Sequence, residues 1–540
     1  MEALRRGDSH RSSYGALAVW LFLALLTLFT GLTRGHFWSV DEVAVFQQTR
    51  SLWEHGDLSV APSTNTMAGR GGRLYVSFGA GQSVLAWPLY GLGKSVRLAL
   101  ERTGAHTWIR TLAGPEIGPP DRHWGGEVEV FFVNLFGAIA VAALAGVFFA
   151  FNLRLGTAPR WALAATLLLA LTTHIAGFSG NFFQHGAESL LLLWTFYFLF
   201  CDSREPNGRT RMLAGLTAGA MLTVRPSTTV LLPALTAYLF WCLWRGGGKG
   251  YRRRLAEALK QCIPFLIPVA AGLLVVAGVN YARFGDFSVR GGYARLIPLT
   301  TPLLIGLYGN LFSVGQSIFL FSPLLVLAPV YFGGFARRYR AEAVAIGAMA
   351  ASSLLLCSRA NPWHGQWYFG PRLLVHLVPL LLLPLGYWLQ RARRTALLAV
   401  APLALAGLLV QAMHIAVNTS YVYYHEGYLS FKPELGYLFL PQYSQLLAHW
   451  RALWAWDGRV DMWLVTVARE SGARSLLPIA ALLTGILLGC AWRVRVHLRR
   501  ADAAWAARVP PTFAYAASAG LPVLAGVWLL TIAGLLMDHL

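Results

Sequence analysis

The chain has 540 residues, is 56% hydrophobic and only 13% charged, and carries its apolar residues in long runs, a composition that excludes an ordinary soluble enzyme. A net charge of +21 would suit a nucleic-acid partner in a soluble protein. Here the lysines and arginines sit in short stretches between apolar runs, so the expected partner is the lipid bilayer, oriented by the positive-inside rule, and no nucleic acid. Cys201, Cys242, Cys262, Cys357 and Cys490 lie in or beside apolar segments without metal-type spacing and are expected to be free thiols.

In chain order, the first apolar run, 14–32, follows a basic start but no small-residue cleavage site follows it, so it reads as a retained first helix. A long first extracytoplasmic loop, 34–128, comes next, with a helical pattern running through Trp53. Residues 79–100 are apolar but contain Gly79, Gly81, Pro88, Gly91 and Gly93, and a crossing there would invert every later loop; they are expected as a juxtamembrane helix on the outer surface. Further spans are predicted near 129–150, 161–178, 185–201, 212–225, 228–244, 262–280, 316–333, 341–357, 373–389, 395–413, 475–492 and 513–537. With the first, that gives an all-α polytopic membrane protein of about 13 transmembrane helices, range 11–14. Every even-to-odd connection is then basic, from Arg154 and Arg160 to Arg499 and Arg500, which places those loops in the cytoplasm. Residues 212–244 have basic flanks on both sides, so the chain must turn back inside them, and Arg225-Pro226 is the natural break.

The residues able to carry chemistry gather on the extracytoplasmic side. Asp41 and Glu42 follow the first span in the sequence His36-Phe37-Trp38-Ser39-Val40-Asp41-Glu42. Paired carboxylates at such a mouth act as a general base or hold a cation, or else Asp41 is an N-cap with Glu42 in the first helical turn. His185 and Glu188 are three apart on one face of the fourth span, where ionisable residues are functional candidates. Arg225 lies at the outer turn and Arg372 at the outer end of a later span, each a phosphate contact or an interface anchor. Trp363, His364, Trp367 and Tyr368 are candidates for substrate binding, the aromatic rings by stacking on sugar faces, although an interfacial aromatic belt predicts them too.

The Asp41-Glu42 pair resembles the pair that opens the first extracytoplasmic loop of the GT-C superfamily of membrane glycosyltransferases. Further matches are Arg73 to Ser83, similar to that family's Gly-rich stretch before its juxtamembrane helix; Gly215 through Arg225-Pro226; Tyr308 to Phe312 with Phe321-Ser322-Pro323; and Trp363 to Trp367 followed by Gly370-Pro371-Arg372. They span about residues 36–390. The resemblance, which takes in bacterial aminoarabinose transferases and protein O-mannosyltransferase-like enzymes, implies transfer of a sugar from a polyprenyl-phosphate carrier. It makes Asp41 the base, with Glu42 supporting it or binding a cation; the departing phosphate of that reaction needs positive charge, for which Arg372 and Arg225 are the candidates. Two departures narrow it. The Lys-Pro-Pro element of lipid A aminoarabinose transferases is replaced by Tyr75-Val76-Ser77-Phe78-Gly79, and the soluble insertion of eukaryotic protein O-mannosyltransferases is absent.

The expected organisation is a catalytic core over 1–413, including the first loop 34–128; an extracytoplasmic segment, 414–474, rich in Tyr and Trp and folded against the membrane; and C-terminal membrane helices over 475–540. The expected function is transfer of a hexosyl or pentosyl group to an extracytoplasmic cell-envelope glycan or lipid at a bacterial inner membrane. No cofactor is implied beyond the polyprenyl-phosphate sugar as donor substrate, and a divalent metal is left open. The rival from another class is a multi-span transporter or flippase of lipid-linked sugars. Against it, the sequence shows no inverted repeat with matching broken helices, and its charges gather at one face rather than along a path.

Overall fold

A computed structural model describes residues 2–506 except 63–64, 106–107, 109–111, 113–126, 247–249, 289–296, 366–367, 420–421, 424–435, 456–459 and 472. The described residues are mostly helical. The first span, α1 (Glu2–Leu32), leads to α2 (Val40–Glu54), then to a two-stranded antiparallel hairpin of β1 (Thr66–Ala68) and β2 (Leu74–Val76), in which Met67 faces Tyr75. The juxtamembrane helix follows as α3 (Gly81–Arg102), packed on α2 and on α4 (Val128–Arg154). Next come α5 (Pro159–Thr172), α6 (Gln184–Arg204), α7 (Gly208–Val224), α8 (Leu232–Gly246) and α9 (Tyr251–Phe284). They are followed by α10 (Leu303–Phe312), a set of short turns from Ile318, α11 (Ala328–Arg338), α12 (Arg340–Arg359), α13 (Val378–Leu389) and α14 (Val400–Ala416). The last elements are α15 (Gln445–Ala455), α16 (Trp463–Ser471) and α17 (Ala473–Ala506).

Eight described helical segments are long and apolar enough to cross a membrane by length and composition: 14–32, 128–154, 226–246, 251–284, 340–359, 372–389, 395–416 and 477–505. Four other predicted spans are present as α5, α6, α7 and the broken stretch 318–338, each short, interrupted or polar at one end. The predicted span 513–537 lies outside the described residues. Arg225, after the end of α7, has extended backbone with φ −143°, as a residue before proline should, and the chain turns there into α8.

In lipid, helices associate through close packing and polar contacts. Helices α7 and α9 meet at Gly219 and Gly272, where a Cβ on Gly272 would lie 2.5 Å from the Gly219 Cα. The first loop is fastened to the ends of the same two helices. Arg283, near the end of α9, donates to the carbonyls of Val76 at 2.8 Å and Phe78 at 2.9 Å. A Cβ on Gly79 would sit 2.3 Å from the carbonyl oxygen of Thr223, so only glycine lets the loop close on the end of α7. The glycine-rich stretch thus holds the first loop beside Arg225.

Candidate active site

The site is built on the end of α1. Ser39 is the N-cap of α2; its hydroxyl accepts from the Asp41 N–H at 3.2 Å. Glu42, at the third helical position, closes a capping box by accepting from the backbone N–H of Ser39 at 3.2 Å. Ser39 and not Asp41 is therefore the cap, Glu42 does lie in the first helical turn, and the Asp41 carboxylate faces a neighbour. Glu42 is turned inward instead, accepting also from the N–H groups of Trp38 at 3.1 Å and Phe182 at 2.7 Å. It fastens the start of α2 to the loop before α6 and does not line the cleft.

Burial raises the Glu42 carboxyl to about 7, against four contacts that lower it, the backbone N–H groups of Phe182 and Trp38 and the charges of Arg34 and His36. The folded chain therefore keeps this proton up to about pH 7, whereas an unfolded glutamate releases it near its ordinary 4.5. Between those values the unfolded chain binds fewer protons, so stability contributed by this group falls as pH rises through the window and levels above about 7. Glu42→Gln should remove that component from a pH series of unfolding measurements and lower stability by ~1–3 kcal/mol through imperfectly paired backbone donors. An unchanged pH profile in the variant would mean that Glu42 is not the titrating group.

Asp41 faces a cleft of about 70 Å³ that it lines with Gln82, Phe183, His185, Arg225 and Arg372, among others. Its Oδ1 accepts from Asn65 Nδ2 at 2.5 Å and its Oδ2 from Arg372 Nη1 at 2.7 Å. Arg372 is placed by the Gly-Pro-Arg turn. Gly370 adopts φ +81°, and a Cβ there would lie 2.5 Å from the Phe321 ring, so glycine is required on both counts. The chain then enters a 3₁₀ turn, Arg372–Leu377, that leads into α13. The Arg372 guanidinium also lies over the rings of Phe183 and Tyr368, each 5.6 Å from its centroid.

The opposite wall is a second ion pair. Arg225 Nη1 donates to Glu188 Oε2 at 2.6 Å and to His185 Nδ1 at 2.6 Å. His376 Nδ1 approaches the other Glu188 oxygen at 3.2 Å, and its Nε2 meets the Ser353 hydroxyl at 2.9 Å. One carboxylate, Asp41, and two guanidiniums thus line one cleft, with Glu188 behind Arg225; they come from α2, the α7–α8 turn and the start of the segment that becomes α13, and from α6 for Glu188.

Four of the expected site residues, Asp41, Arg225, Arg372 and His185, are brought together at the cleft, with Glu188 behind them. The aromatic group is placed differently. Trp363 packs against Gly309, Tyr368 is fully buried and stacked on Phe178 with centroids 5.2 Å apart, and His364 bonds the Tyr437 hydroxyl at 3.1 Å. These three support the late loop and do not line the cleft. Trp367 lies outside the described residues. Among the described residues no group of three or more His, Cys, Asp or Glu is arranged to hold a metal ion.

The chain matches no protein-family model and no curated protein. Among solved structures it is similar to ArnT from Cupriavidus metallidurans, a crystal structure in the apo state, with 16% sequence identity, 92% of this chain and 76% of that chain covered, and a TM-score of 0.48.

Three contacts of the site were not evident from sequence. Asn65 comes from an irregular loop stretch with no pattern to mark it. His376 was findable: it stands four residues after Arg372, on the same face, inside an apolar span. The third is the anchor of α1. Asp461, just before α16, accepts from His36 Nε2 at 2.5 Å and lies 3.8 Å from Arg34, whose Nη2 also donates to the His414 carbonyl at 2.5 Å. Despite burial, the Asp461 carboxylate holds its His36 partner's pKa above the ordinary imidazole value, and the imidazole in turn keeps Asp461 low. Asp461 therefore fixes the end of the first span, after which α2, the helix that carries Asp41, begins.

Proposed function

We propose that the chain is a GT-C-like glycosyltransferase that moves a sugar from a polyprenyl-phosphate carrier to a glycan or lipid of the cell envelope, at the extracytoplasmic face of a bacterial inner membrane. The observation that carries this reading is the Asp41–Arg372 ion pair in a cleft that Arg225, held from behind by Glu188, also lines. In the reaction, the acceptor oxygen forms a bond to the anomeric carbon, the carbon–oxygen bond to phosphate breaks, and polyprenyl phosphate leaves with that electron pair. The acceptor's proton goes to Asp41. The leaving phosphate needs fixed positive charge, and two guanidiniums within one narrow cleft supply it. Before the donor arrives, Arg372 is occupied by Asp41. A phosphate that takes over Arg372 frees the Asp41 carboxylate at the moment a base is needed, and withdrawal of the guanidinium widens a cleft otherwise too tight for a sugar ring.

The distribution of charge supports an enzyme over a flippase. Among the described residues the ion pairs fall into two sets: one at the outer end, around Asp41, Glu188 and Asp461, the other at the basic end, around Asp202–Arg211 and Arg204–Glu342. No chain of ionisable groups among them joins the two ends.

Arg372→Lys tests the phosphate contact. Lysine keeps the charge but loses the planar fork, so both binding of a labelled polyprenyl-phosphate sugar and turnover should fall, by on the order of tenfold or more. Normal binding and turnover in stably inserted protein would return Arg372 to an interfacial anchor. The orientation has its own check. Tags at residues 70 and 365 should be extracytoplasmic and tags at 250 and 393 cytoplasmic; finding 70 and 250 on the same side would overturn it.

A further inference from the structure

At the end of the bundle opposite the active-site cleft, α8 and α12 diverge to leave an open groove of about 490 Å³. Its walls are small and apolar, with Ala234 and Ala237 on one helix and Ala345 and Ala348 on the other, and Tyr238 forms its floor. Two arginines stand at its mouth: Arg245, in the last turn of α8, and Arg340, the first residue of α12. Both are exposed, and neither has an ion-pair partner among the described residues; Arg245 makes only a cation–π contact with Trp241, at 4.9 Å. The carboxylate that bonds Tyr238, Glu342, is already held, accepting from Arg204 at 3.1 Å and from the Tyr238 hydroxyl at 3.1 Å. It is buried and does not neutralise the mouth.

We infer that this groove is a binding site for one anionic phospholipid of the leaflet on the basic side, separate from the donor site. Charge complementarity decides the occupant. An acyl chain fits an apolar groove inside the bilayer, but so would any lipid; two guanidiniums without partners at headgroup level select a phosphate with no compensating cation on its headgroup. The apolar walls accept the chain and the two arginines fix the headgroup, so α8 and α12 are bridged by the lipid at the point where they separate. Because α8 descends from the Arg225 turn, an occupied groove also steadies the far end of the element that carries one wall of the cleft. The inference does not depend on the reaction proposed above.

The test is lipid binding by full-length protein in detergent, measured by native mass spectrometry with phosphatidylglycerol or phosphatidylcholine added. Wild type should bind one phosphatidylglycerol in clear preference to phosphatidylcholine. The double variant Arg245→Gln/Arg340→Gln should weaken that binding roughly thirtyfold, from about 1 kcal/mol per arginine at ~1.4 kcal/mol per factor of ten. A control of equal net charge, Arg252→Gln/Arg337→Gln, removes two exposed arginines that do not line the groove and should stay close to wild type. Ala348→Trp, which fills the groove without changing charge, should also reduce binding. Equal affinity of wild type for the two lipids, or equal loss in both double variants, would overturn the site. So would a groove variant that changed the proportion of dimer while leaving lipid affinity intact, since the groove would then be a face for a second helix.

Discussion

Asp41→Asn should abolish sugar transfer while leaving membrane insertion and donor binding largely intact. An acceptor hydroxyl is a weak nucleophile near neutral pH, and a positioned carboxylate that takes its proton contributes roughly a hundred- to ten-thousandfold in rate. Asparagine keeps the size of aspartate and can still accept from Asn65 through its carbonyl oxygen, but it takes no proton. The helix start is not at risk, because Ser39 and Glu42 form the capping box and both remain. One contact does change: Arg372 loses a charged partner, so the guanidinium is released toward the donor and affinity for the phosphate should hold or rise. Initial rates and donor binding, compared at equal amounts of folded protein, read both effects. Near-wild-type transfer would exclude Asp41 as the base, and no other carboxylate lining the cleft could take its place among the described residues.

Glu188→Ala should produce the largest loss of stability, ~3–5 kcal/mol, because it leaves the buried end of Arg225 without its anion. Glu188 is 1% exposed and its partner's side chain 11%, so water does little to screen the pair. Replacing both partners, as Glu188→Leu with Arg225→Met, should cost less stability than the sum of the two single changes, since a buried pair replaced by apolar side chains loses both its attraction and its desolvation penalty. Activity should behave differently: the double variant lacks the second phosphate contact and should remain impaired even when its stability is recovered. Unfolding free energies in mixed micelles, set beside donor binding, separate the two roles. If the double variant regained donor binding, Arg225 would be structural only.

Much of the architecture could be read from sequence because the bilayer leaves few choices. Apolar runs of sufficient length must be helices, and the alternation of basic loops gives each connection an expected side. The turn at Arg225-Pro226 was visible because proline disfavours helix at the residue before it, and the juxtamembrane helix because its glycines and Pro88 weigh against a span. The site was half legible. Asp41, Arg225, Arg372 and His185 stand out as charged or ionisable residues at helix ends in an apolar chain, and these are the residues the fold brings together. What sequence could not give is direction. Asp41 and Glu42 are adjacent and chemically alike, yet a cap one turn earlier sends one carboxylate into the cleft and the other onto the backbone of Phe182. Tyr368 and Trp363 have the composition of a sugar platform but serve as packing, because rings on a loop can turn to the core as easily as to the cleft. The His36–Asp461 contact joins residues 425 apart with no local pattern to announce it.

The most direct measurement is whether the purified protein breaks the sugar–phosphate bond of a lipid carrier. Protein in mixed micelles would be incubated with a panel of polyprenyl-phosphate sugars labelled in the sugar, together with envelope glycan and lipid extracts, and both products followed. The expected result is label appearing in an acceptor with equimolar release of polyprenyl phosphate for at least one donor, and loss of both in Asp41→Asn. Label that never leaves the carrier with any donor, but crosses the bilayer when the protein is placed in vesicles, would contradict a transferase and establish a flippase in its place.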